Sequence, residues 1–318
     1  MAGNAGGTWA TKWQRSRRDF TAQLRRLVGP DRLTTAVLPP GSRSRRARSG
    51  MWLGILGLYL AGWGEGLVRA GVALVDLFHG KPLPDHRPVP SIDATVHGLV
   101  SVGVDLAIAV VAIGAIVLIR PVGERFDARI FFRSIPLTTA AIIFGWTAVD
   151  VVAAYFPRNG YPAVPIGADG LTLLREYGGS FAAGPAEEFV LLGLVLVGLR
   201  FVGLRWINVL IAAVVLRVLF HAYYGVPALG LVVWAGLMVL LARRFGIWVL
   251  PAAAFAHSVW DLLQSWTGAA PKADREWPEL VNGLWVLGSL VYLGLELVAW
   301  GVRVRKRRRA VGTQSASG

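Results

Sequence analysis

Gly184-Pro185-Ala186-Glu187-Glu188-Phe189-Val190-Leu191-Leu192-Gly193 sets two adjacent acids inside an apolar run long enough to cross a bilayer. A carboxylate in hydrocarbon costs on the order of several kcal/mol unless it is partnered, so an intramembrane Glu pair is read as functional until its partners are found. Candidates lie downstream in similarly apolar surroundings: His221 in Leu219-Phe220-His221-Ala222-Tyr223, and His257 with Asp261 in Ala256-His257-Ser258-Val259-Trp260-Asp261. Arg217, one turn before His221, is the available cation.

Working outward, the 318 residues are 54% apolar and 16% charged, with a mean hydropathy of +0.53. This is the composition of a polytopic helical membrane protein, not of a soluble domain. The chain has no cysteine, which removes disulfides, thiolate catalysis and Cys-ligated metals. The expected fold is all-α, a membrane helical bundle with about eight spans at 52–79, 98–119, 137–156, 180–199, 207–224, 228–242, 247–266 and 283–302. The domain reading is a basic, mostly disordered arm over 1–50, a transmembrane domain over 51–302 whose core is 180–302, and a basic disordered tail over 303–318. A short amphipathic helix is expected around 19–28. The first apolar run is too long for a signal peptide and lacks a cleavage site, so it reads as an anchor.

Basic residues fix the expected orientation. They crowd into the arm, residues 120–133, Arg200 and Arg205, Arg243 and Arg244, and 303–309, and are sparse at Lys81, Arg87, Arg158, Arg175, Lys272 and Arg275. Both termini are therefore expected on the cytoplasmic side of a plasma (inner) membrane, with anionic lipids as partners of the basic ends. The net charge of +14 needs nothing further, and no nucleic-acid partner is expected, because the Arg clusters lack interleaved aromatics or a binding fold.

With span four starting at residue 180, Glu187 lies about 10 Å inside it, and His257 lies about 12 Å from the outer end of span seven. Asp261 sits one turn farther out on the same face as His257. His221 lies near the outer end of span five, so acids and imidazoles from three helices share a membrane layer. His221, His257 and Asp261 form a possible ligand set for Zn²⁺, with Glu187 as the base that takes a proton from water. Adjacent residues point about 100° apart on a helix, so only one Glu is expected to face the cluster, with Glu188 paired to Arg217. Each residue also has a plainer reading: a helix amino-terminal acid pair, an interfacial aromatic-belt histidine, and a structural His–Asp hydrogen bond.

From about residue 181 to 263 the chain resembles the CAAX protease and bacteriocin-processing (CPBP, or Abi) family of intramembrane endopeptidases. That family carries Glu-Glu-x-x-x-Arg, Phe-x-x-x-His and His-x-x-x-Asn/Asp. The resemblance implies a membrane-associated peptide or protein substrate and hydrolysis by Glu-activated, possibly metal-bound, water. It also implies Glu187 as activator, Glu188 as its motif neighbour, and His221, His257 and Asp261 completing the oxyanion or metal environment. Two positions depart: the motif Arg is Leu192 and the motif Phe is Arg217, as if the cation had moved to a neighbouring helix. The rival readings are an inactive scaffold of the same fold and a proton-coupled carrier. The carrier is suggested by further acids in or at the ends of spans, among them Asp76, Asp105, Asp150, Glu296 and an internal Glu65–Arg69 pair. No inverted repeat relates the halves.

Overall fold

A computed structural model describes residue 33 and residues 44–81, 90–119, 126–159, 170–270 and 274–315. The amphipathic helix expected at 19–28 lies outside them. The described chain is all helical, as its composition requires. Helix α1 is Arg45–Phe78, α2 Ile92–Ile119, α3 Ala128–Ala153, α4 Gly170–Phe201, α5 Trp206–Phe220, α6 Leu231–Phe245, α7 Val249–Ala269 and α8 Glu276–Ser315. Short 3₁₀ turns at Ala222–Tyr224 and Val226–Gly230 join α5 to α6.

Local chemistry sets the ends. Ser44 Oγ accepts the Ala47 amide to start α1, and Asp127 accepts the Arg129 and Ile130 amides to start α3. Gly225 and Gly246, at φ 84° and 87°, make the reversals after α5 and α6 that a side chain would strain. The eight expected spans correspond one to one with these helices, but six are long and apolar enough to cross a membrane. The 15 residues of α5 reach only about 22 Å, and α7 carries His257, Asp261 and Gln264. Helices α3 and α4 begin at Ala128 and Gly170, before the starts expected at 137 and 180, because hydropathy does not register a helix whose first turns are polar. The tail expected to be disordered from 303 continues α8 to Ser315, since Arg, Lys and Ala are good helix formers and no Pro interrupts them.

The bundle is embedded in the membrane, and its surface fits that surrounding. Leu53, Val68, Val110, Leu118 and Val298 point outward, whereas Ser134, Thr138, Thr139 and Glu188 are buried. Helix α4 is the centre, packed against α2, α5, α6 and α7, with its 190–199 stretch fully buried. Close approach relies on missing side chains. A Cβ on Gly184 would collide with the Ala254 carbonyl and Ser258 of α7, and one on Gly230 with Ala148 and Val149 of α3.

Candidate active site

The α4 backbone prepares the site before any acid is considered. Pro185 has no amide proton, so it cannot bond the Phe181 carbonyl four residues earlier. The Ser258 hydroxyl of α7 donates to that carbonyl at 2.7 Å, which ties α4 to α7 beside His257. From Glu188 to Leu194 the helix then widens into π turns, with Gly193 packed against Ile116 and Leu250.

The acids sit where the α turns give way to the wider ones, Glu187 still with α-helical backbone. The expectation that a single Glu faces the cluster is corrected, because both reach the same guanidinium. Arg217 Nη1 donates to Glu187 Oε2 at 2.8 Å and Nη2 to Glu188 Oε1 at 2.6 Å. The guanidinium is a planar fork whose two nitrogens reach one oxygen of each acid. Arg217 therefore pairs with Glu188, as its position suggests, and with Glu187 as well. It is buried, its guanidinium carbon 4.2 Å above the ring of Trp234, a fully buried α6 residue.

His257 is held from three sides. Its Nδ1 is 2.9 Å from Glu188 Oε1, and its Nε2 is 3.4 Å from Asp261 Oδ2 and 3.9 Å from Glu187 Oε2. Ionised carboxylates only accept, so a ring placed among them is set to donate. Trp234 meets it edge-on, with centroids 4.8 Å apart. The two glutamates differ in access: the Glu187 side chain keeps 9% exposure and Glu188 none. Glu188 Oε2 is buried and has no hydrogen-bond partner.

The sequence grouped Glu187, His221, His257 and Asp261, with Glu188 turned to Arg217; the structure brings Glu187, Glu188, Arg217, His257 and Asp261 together. His221 is nearby in another role. It follows the last residue of α5, its Nδ1 is 2.9 Å from the Arg217 carbonyl, and its ring stacks on Tyr224 at 5.9 Å. The depth assigned to Glu187 also changes: with α4 starting at Gly170, the residue lies about 25 Å along the helix, near its middle. The pair Glu65–Arg69 forms, but on the exposed surface of α1 and not internally. Trp234, Tyr59 and Ser258 escaped sequence reasoning, since a Trp, Tyr or Ser in an apolar run has no distinguishing spacing. Tyr59 donates to the Leu216 carbonyl at 3.0 Å and so fastens α1 beside Arg217.

Compared with protein-family models, with curated proteins and with solved structures, the chain has no match.

The ligand set expected for Zn²⁺, His221 with His257 and Asp261, is not the one that converges. Among the described residues, donors within 4.8 Å of one another come from Glu187, Glu188 and His257. These are already engaged. The Arg217 guanidinium occupies one oxygen of each carboxylate, and the His257 ring faces acceptors on both nitrogens. A divalent ion would meet a fixed positive charge and would need a lone pair from a ring set to donate. As arranged, the residues fit a resident guanidinium better than a metal.

Proposed function

We propose that the protein is an intramembrane endopeptidase of the CPBP type, cleaving a peptide bond of a membrane-associated protein or peptide with water activated by Glu187. One observation carries this reading: of two adjacent buried glutamates, only Glu187 retains any side-chain exposure, 9%, and its Oε2 lies 3.9 Å from His257 Nε2. Arg217 fixes Glu187 Oε2 and leaves Oε1 for a water molecule. Glu187 takes a proton from that water as its oxygen attacks the carbonyl carbon. With Nδ1 held by Glu188, the His257 Nε2–H turns from Asp261 to the oxyanion and stabilises it. The proton on Glu187 then passes to the leaving nitrogen as the C–N bond breaks. In this reading Arg217 stands in for the motif Arg that Leu192 replaces.

No step requires a metal. The proposed setting is the plasma membrane with both termini cytoplasmic and anionic lipid at the basic ends. The carrier reading is weakened by pairing: Glu65, Asp150 and Glu296 are each neutralised by Arg69, Arg158 and Arg133.

The test is a comparison of new protein termini in membranes from cells expressing the native chain or Glu187→Gln. Termini present with the native chain alone, and insensitive to 1,10-phenanthroline, support the proposal. Identical termini in both leave the scaffold reading. Loss of cleavage on chelation alone would reinstate a metal.

A further inference from the structure

The site is not equally enclosed at its two ends. Towards the carboxy-terminal end of α4 the packing is closed, with 190–199 buried and most of α7 from 249 to 258 buried beside it. Towards the other end it loosens. Arg175 to Ser180 on α4 are half-buried, and on α7 side-chain exposure rises from 4% at His257 to 31% at Asp261, one turn on. Gln264 is exposed and Ser265 half-buried beyond it.

Residue type shows what this loosening faces. The outer surfaces of α1, α2 and α8 carry Leu, Val and Ile, as a lipid-facing wall does. The loosened seam instead carries Glu176, Ser180, Asp261 and Ser265, with Gln264 beside them. Ser180 and Ser265 hydroxyls meet across it at 2.6 Å, so the two rows face each other. A polar row turned to hydrocarbon would cost free energy at each group, whereas one lining water would not.

The seam also has a side. The start of α4 lies with the start of α2, where Gly98 touches the Arg175 side chain, and with the end of α7. The other end of α4 lies by the start of α1, where Gly198 meets Met51, close to Arg45, Arg46 and Arg48. The start of α3 is tied to the basic end of α8 through Arg133 and Glu296.

We infer that the buried Glu187–Glu188–Arg217–His257 cluster is reached by water and small hydrophilic cations along the α4–α7 seam, through a mouth at Asp261 on the face opposite the Arg-rich helix ends. The inference concerns access and stands whether or not Glu187 turns over a substrate. Asp261 supplies the attraction for cations, since its carboxylate is the outermost charge of the cluster.

A chain without cysteine permits a direct test. Single variants Asp261→Cys, Ser265→Cys, Val195→Cys and Ala47→Cys are treated, in sealed vesicles of known orientation, with the impermeant cation [2-(trimethylammonium)ethyl] methanethiosulfonate. Ala47 marks the Arg-rich face and Val195 the closed packing. Positions 261 and 265 are expected to react fully from the face where position 47 does not, with position 195 unreactive. Reaction at 261 and 265 from the same face as position 47 overturns the sidedness. Their failure to react from either face overturns the mouth itself. Should Asp261→Cys fold poorly, Ser265→Cys, one turn out, is read the same way.

Discussion

Replacing Arg217 with Met keeps an unbranched stem and removes the charge that holds two buried carboxylates. In the native chain the Arg217 side chain is only 3% exposed, and its guanidinium donates to Glu187 and Glu188 at 2.8 and 2.6 Å while lying 4.2 Å from the Trp234 ring. Breaking a buried ion pair from one side costs about 3–5 kcal/mol, because the remaining charge keeps its desolvation penalty. The lost contact with Trp234 adds about 1 kcal/mol. Purified protein in detergent should therefore melt lower by on the order of 10 °C. The diagnostic is the second substitution. Glu188 is sealed and loses its cation in Arg217→Met, so adding Glu188→Gln removes the stranded charge and should recover on the order of 2 kcal/mol, a coupling expected only of groups in contact. The reasoning is refuted if Arg217→Met melts within a degree or two of the native chain, or if the Glu188→Gln penalty simply adds to it.

Gly184→Val puts a side chain into the Ala254 carbonyl and Ser258, so α4 and α7 must separate. A loss of about 1–3 kcal/mol in thermal unfolding is expected, together with loss of any cleavage. Arg133→Leu leaves Glu296 without its bidentate partner at a partly exposed position. Its cost should stay near 1 kcal/mol, with faster amide hydrogen exchange in α8 and no change at the α4–α7 seam. Tyr59→Phe deletes the hydroxyl that donates to the Leu216 carbonyl and should lower unfolding stability by about 1 kcal/mol. Were Tyr59→Phe to leave the melting temperature unchanged, the α1 contact would be packing alone.

The positions of all eight helices were legible because apolar runs separated by basic or Pro-containing segments leave few alternatives in lipid. Charge made the site legible as well. Glu187, Glu188, Arg217 and His257 are costly in hydrocarbon unless paired, so their meeting followed from their presence. What stayed hidden was set by packing. The widened turns from Glu188 contain Gly193, where a side chain would meet Ile116 and Leu250, contacts from two other helices that have no local spacing signal. Helical spacing alone turns adjacent acids about 100° apart, and it does not show that one guanidinium can reach both. Trp234 was equally hidden, since nothing in Val232-Val233-Trp234-Ala235 announces a ring lying between a cation and an imidazole. The place of His221 at a helix end did not announce that its Nδ1 would be held by the Arg217 carbonyl one turn back.

Consecutive residues of one type end with different tasks because their surroundings differ. Glu188 has one oxygen held by both Arg217 and His257 and no exposure, so it is fixed and serves as the anchor that orients the cation and the ring. Glu187 is held by Arg217 at a single oxygen and is not fully enclosed, so it has more of the freedom a proton acceptor needs. The distance between Glu187 and His257 is in turn set by how α4 lies on α7, through the Phe181 carbonyl that Pro185 releases and Ser258 captures. The proline beside the acids therefore contributes through the bond it omits: that vacancy couples helix packing to the spacing of the two groups on which hydrolysis would depend.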